Sequence, residues 1–166
     1  MQLADFFDYK NQLMQDLLTT ESIVKLIDSH ATLDTAKELA YTKVFPYEYI
    51  PETVEEASTF VCFDVELQKA PTSKTFLSPV LYVWVFSHRT KLRLDGGGVL
   101  IDKLASEIAE KINGSRLYGM GELDLYTVRR FTPVSDYQGK VMTFGMTEWN
   151  RPSPSNKSIP KNRKTG

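Results

Sequence analysis

The chain has 166 residues, 42% hydrophobic and 25% charged, with a formal net charge of −1. That length suits one domain burying a single core, and the near-neutral balance gives no general attraction to nucleic acid or an anionic membrane. One cysteine, Cys62, excludes an internal disulfide and a cysteine-rich zinc site.

The first predicted element is an N-terminal helix. Phe6, Phe7, Lys10, Leu13, Met14, Leu17 and Leu18 follow the i, i+3, i+4, i+7 spacing of one helical face. Asp5, Asp8 and Asp16 fall mostly opposite. Thr19 or Thr20 is placed to cap a second, short helix carrying Ile23, Val24, Leu26 and Ile27. Residues 28–40 are polar and weakly patterned, and read as a loop. Lys43 to Ile50 is extended, and its prolines, Pro46 and Pro51 just beyond, confine it to an edge strand or a strap over the surface.

Ser58 to Lys69 is the clearest strand. Val61, Phe63, Val65 and Leu67 alternate with Cys62, Asp64, Glu66 and Gln68, giving one buried and one polar face. Phe76 to His88 is the next strand, and its stretch Val80 to Phe86 is apolar on both faces. Such a strand sits centrally and is covered on both sides. Helices supply one cover; a neighbouring protein chain is the expected second. Asp95 and Gly96–Gly98 lead into a helix whose stripe is Ile101, Leu104, Ala105, Ile108 and Ile112, ended by Asn113 and Gly114. Leu123 to Phe131 is a third long strand, and Lys140 to Trp149 a fourth.

These elements predict an α+β fold with the order αβββαββ and a mostly antiparallel sheet, occupying residues 1–150 as one domain. Residues 151–166 hold three prolines, five cations and no acid; removing those five charges leaves residues 1–150 at −6. So little apolar surface cannot offset the entropy of ordering, so this tail is expected to be disordered when free. The start of the chain lacks the basic run of a signal peptide. The Val80–Phe86 run is far short of the ~20 residues that cross a bilayer, so no membrane partner is expected.

No residue pattern specifies catalysis. Gly96–Gly98 precedes a helix, but without the Gly-Lys-Ser/Thr or Gly-x-Gly-x-x-Gly of a phosphate cradle. Asp64, Glu66 and Lys69 invite comparison with a metal-dependent nuclease, whose strand carboxylates hold a divalent cation. The spacing here, Glu-x-x-Lys, puts Lys69 on the opposite face from Glu66. His30 and His88 are distant in sequence, and no Gly-x-Ser-x-Gly elbow is present. The alternatives to a purely structural role are therefore a nuclease using Asp64 and Glu66, or a nucleic-acid-binding adaptor using the basic tail. No enzymatic activity and no cofactor are expected. Candidate subunit contacts are Val80, Tyr82, Trp84 and Phe86 on the doubly apolar strand, with Phe45, Tyr47 and Tyr49 on the strap. Candidate tail contacts are Arg151, Lys157, Lys161, Arg163 and Lys164.

The run Lys43-Val44-Phe45-Pro46-Tyr47-Glu48-Tyr49-Ile50-Pro51-Glu52-Thr53, followed by Phe60-Val61-Cys62-Phe63-Asp64-Val65, resembles small neck proteins of tailed phages. Val85-Phe86-Ser87-His88, Asp102 to Ile108, Asn113 to Arg116 and Tyr118 to Leu123 are similar to segments of the same proteins. The resemblance spans roughly residues 1–150. It implies a structural protein of the virion head–tail junction, a tail terminator or tail-completion protein, with the terminator favoured. Such a protein forms a ring, usually of six copies, joining connector or adaptor proteins of the head to the tail tube. DNA passes through the lumen without sequence-specific binding. The implied location is the virion, after assembly in the host cytoplasm.

Overall fold

A computed structural model describes residues 5–51, 57–68, 76–118, 121–145 and 148–149. In chain order these form α1 (Asp5–Leu18), α2 (Glu21–Ile27), a 3-10 turn (Ala36–Leu39), β1 (Val44–Phe45), β2 (Thr59–Gln68) and β3 (Phe76–His88). A second 3-10 turn (Arg89–Lys91) follows, then α3 (Leu100–Ile112), β4 (Asp124–Phe131), β5 (Tyr137–Gly145) and β6 (Glu148–Trp149). The fold is α+β, and the strands lie in the order β1-β2-β3-β5-β4, with β6 beside β3. The tail, residues 151–166, lies outside the described residues, as does Lys69.

The sheet is antiparallel except at β1, which runs parallel to β2 with Val44 opposite Val61. The thirteen residues between Phe45 and Thr59 give the chain length enough to return in the same direction. The strand read over Lys140 to Trp149 is described in two pieces, β5 and β6, which pair with β3 in one register, Gly145 opposite Val80 and Trp149 opposite Phe76; residues 146 and 147 lie outside the described residues. The weakly patterned residues 28–40 contain a 3-10 turn, and they bury Ala31, Ala36 and Leu39 against the core.

All three helices pack on one face of the sheet. The α3 stripe Ile101, Leu104, Ala105, Ile108 and Ile112 is buried as its spacing predicts. It meets Leu81, Val83 and Val85 of β3, Met142 and Phe144 of β5, and Val61, Phe63 and Val65 of β2 in one cluster with α1 and α2. Each fully buried side chain of this kind contributes roughly 1.5–3 kcal/mol. The α1 stripe is narrower than its spacing suggests: Leu13, Met14, Leu17 and Leu18 are buried, but Phe7 is 71% exposed. Thr20 occupies the N-cap of α2, yet its Oγ1 donates back to Asp16 O at 2.7 Å and makes no cap hydrogen bond. α3 begins after Val99, while Asp95 lies in a tight hairpin where Leu94 and Gly98 pair and Gly97 and Gly98 adopt positive φ. Among the described residues no helix is long and apolar enough to cross a membrane.

Candidate interface site

With the helices on one side, the other face of the sheet carries most of the residues weighed for partner contact. Strand alternation determines its membership. β2 contributes Phe60, Cys62, Asp64 and Glu66. The pairings Phe60–Phe86, Cys62–Trp84, Asp64–Tyr82 and Glu66–Val80 bring in β3. Opposite these lie Gly139, Val141, Thr143 and Gly145 of β5, followed by Phe131, Arg129 and Thr127 of β4.

One end of this face is closed by the chain itself. Phe45, Phe60, Cys62, Phe86 and Tyr137 form a second buried cluster, with Tyr49, Trp84, Phe131 and Val134 packed around it. The strap after β1 turns back so that Tyr49 stacks on Phe45, ring centroids 4.1 Å apart and 13° from parallel. Phe60 lies 5.4 Å from Phe86, and Tyr137 meets Phe86 edge-on at 5.9 Å. Such contacts add to the area term. Burial pushes the Cys62 thiol up to about 12 and raises the Tyr137 phenol above its ordinary value. The second cover of β3, expected from a neighbouring chain, is at this end supplied by Phe45 and Tyr49.

The other end is more open among the described residues. Tyr82 and Trp84 are half-buried and stack on each other at 5.7 Å and 16°. Beside them runs a shallow groove of about 310 Å³ lined by Val80, Tyr82, Tyr126, Thr127, Arg129, Val141 and Thr143. Thr127 and Thr143 join their hydroxyls across its floor at 2.6 Å.

The seven contact candidates from the sequence therefore separate. Phe45, Val80 and Phe86 are buried inside the chain; their apolar character is used up by the chain's own aromatics and sheet neighbours. Tyr47 is 46% exposed, and Tyr49, Tyr82 and Trp84 keep part of their surface. Arg151, Lys157, Lys161, Arg163 and Lys164 lie outside the described residues. Sequence reading passed over β4, whose Leu125, Tyr126 and Val128 are exposed. Its alternating pattern looks like any half-buried strand, and only the sheet order reveals that it is an edge.

The groups weighed for catalysis are dispersed or engaged. Lys10 Nζ lies 2.5 Å from Asp64 Oδ1 and 3.0 Å from Pro46 O, and Asp64 Oδ1 also accepts from Val65 N. A carboxylate held this way is a structural ion-pair partner. Among the described residues no group of three or more His, Cys, Asp or Glu is arranged to hold a metal ion. His30 is exposed after α2, whereas His88 ends β3 with its Nδ1 2.8 Å from Thr90 Oγ1.

The model of a phage-associated family, YomW, matches residues 6–146 of the chain. That range takes in α1 from Phe6 on, α2, α3 and every described strand but β6. No curated protein matches the sequence.

Proposed function

The chain belongs to the YomW family, and from that premise we propose that it is a structural protein of the phage head–tail junction. It assembles as a ring, six copies being the expected number, that caps the tail tube and joins it to the connector proteins of the head. Of the two junction roles, the tail terminator is the one adopted. The protein is not an enzyme, and DNA passes its lumen without sequence-specific contact.

The observation that supports this reading best is the unequal cover of the sheet. A monomer that works alone has no use for a partly exposed Trp84 beside an open groove on the helix-free face, nor for exposed Leu125, Tyr126 and Val128 along β4. Aromatic side chains of this kind are enriched where proteins meet. A ring subunit needs two different, mutually complementary surfaces that close head to tail. The engagement of Asp64 by Lys10 leaves the nuclease alternative without an observation in its favour.

The test is to purify the full chain and measure its mass and appearance by electron microscopy, alone and mixed with tail tubes. Closed rings, free or seated on tube ends, are the expected result. A chain that stays monomeric and never associates with tubes or connectors overturns the reading.

A further inference from the structure

The two sides of the sheet are open in complementary ways. On one side β1 covers only Val61 and Cys62 of β2. Val61 donates its N–H outward to Lys43 O at 2.9 Å, so by alternation Phe63, Val65 and Leu67 turn their backbone groups to that same edge. Among the described residues no strand pairs there beyond Cys62. On the other side β4 pairs, among the described residues, only with β5. The same alternation, carried through the regular pairings of β3 and β5, turns the backbone groups of Val128 and Arg130 outward.

The side chains match as well. Glu66 and Arg129 lie on the helix-free face, both exposed, and neither has an ion-pair partner among the described residues. Leu67 and Val128 lie on the helix side at 38% and 48% exposure. Unprotected edges with exposed apolar side chains are templates for another strand.

We propose that the outer edge of β4 in one copy pairs antiparallel with the open stretch of β2 in the next, with Arg129 opposite Glu66 and Val128 opposite Leu67. This deepens the ring reading above and rests on it. Strand directions agree: β2 and β5 run one way and β3 and β4 the other, so a sheet continued head to tail brings β4 antiparallel to β2. The register keeps faces together. It meets outward backbone with outward backbone, Arg130 facing Val65, whose N–H exchanges its Asp64 Oδ1 partner for the new strand. It also ends without collision: Phe131 falls opposite Asp64, where Lys10 reaches over the edge, and Pro133 turns the chain away before β1. The contact is heterologous, because an acidic edge meets a basic one, and so it propagates from copy to copy until it closes.

The test uses charge reversal and cross-linking on the full chain. Arg129→Glu and Glu66→Lys, each alone, weaken the association constant of the subunit contact about tenfold, a change of about 1.4 kcal/mol. Both reversals in one chain restore it. Because both residues are exposed, the unfolding midpoint of each variant stays close to that of the parent. Cysteines at Gln68→Cys and Thr127→Cys face each other across the proposed pairing with a Cα separation of about 4.5 Å, within disulfide range. Oxidation of that double variant yields a covalent ladder up to the ring size, whereas either single variant yields none. Rings that form normally in both charge variants and do not cross-link overturn the edge pairing while leaving the ring reading standing. A chain monomeric under all conditions, with and without tubes, overturns both.

Discussion

The Tyr118 hydroxyl donates to Asp16 Oδ2 at 2.5 Å, joining the loop after α3 to the last turns of α1 across 102 residues of sequence. Asp16 Oδ1 also receives Lys111 Nζ at 3.1 Å. Burial, and then the carboxylate beside it, pushes the Tyr118 phenol well above its ordinary value, so it remains a donor at every working pH. Tyr118→Phe keeps the ring in the core and removes only the bond to a charged acceptor. The expected loss is about 1.5–3 kcal/mol in urea unfolding. Lys111→Met, on a side chain one third exposed, costs less than about 1 kcal/mol. Equal losses for the two variants would show that the tyrosine bond is not the stronger tie.

The aromatic end of the helix-free face is expected to behave as core. Phe86→Ala costs about 3–5 kcal/mol. Gly139 lies opposite Phe86, and a Cβ there would run into Val85 O and the Phe86 side chain. Gly139→Ala therefore costs about 1–3 kcal/mol through crowding, although the backbone at this glycine is ordinary. Tyr82→Ala, at the partly exposed end, leaves the thermal midpoint much closer to the parent's than either of these. A Tyr82 variant as unstable as the Phe86 variant would contradict the division of the face into a closed and an open end.

Cys62 reports on that closed end. Its side chain is 0% exposed and its thiol is pushed up to about 12. At pH 8 almost none of it is thiolate, the reactive form. The native protein should therefore resist thiol reagents over hours and react promptly in denaturant. Rapid reaction in the folded state would mean that the Tyr49 strap opens readily.

Asp28 gives a pH signature. Its hydrogen bond from Lys43 Nζ, at 2.7 Å, holds its carboxyl below the ordinary value of 3.8. A carboxyl depressed in the folded state stabilises it fully above the unfolded pKa. That stabilisation is lost as pH falls through 3.8 and on through the lower folded value. The stability difference between the parent and Asp28→Asn should therefore be constant above about pH 5 and shrink steadily below it. A difference that stays flat down to pH 2 would remove the pair from the acid response.

The helices and the long strands were readable because each writes its own period into the sequence. The α3 stripe is buried residue for residue, and the two-faced apolar character of Val80 to Phe86 identified the central strand. What distant segments do to one another leaves no such period. Nothing near Phe86 announces that Phe45 and Tyr49 will fold over it, and nothing near Val128 announces that β4 has a neighbour on one side only. Phe7 continues the α1 pattern but extends past the core it would pack on. Half of the strand singled out for partner contact was thus already occupied from within, while the edge strand gave no local sign of being open.

The short β6 fixes one more distance. Trp149 pairs with Phe76, at the opposite end of β3 from His88 and the aromatic cluster. The basic segment beyond it is thereby rooted at a single known place. Its seventeen residues, 150–166, reach at most roughly 60 Å from that root when drawn out straight. Whatever Lys157, Lys161, Arg163 and Lys164 grip must come within that radius of the start of β3, so the anchorage of β6 acts as a leash that sets which neighbours the charges can meet.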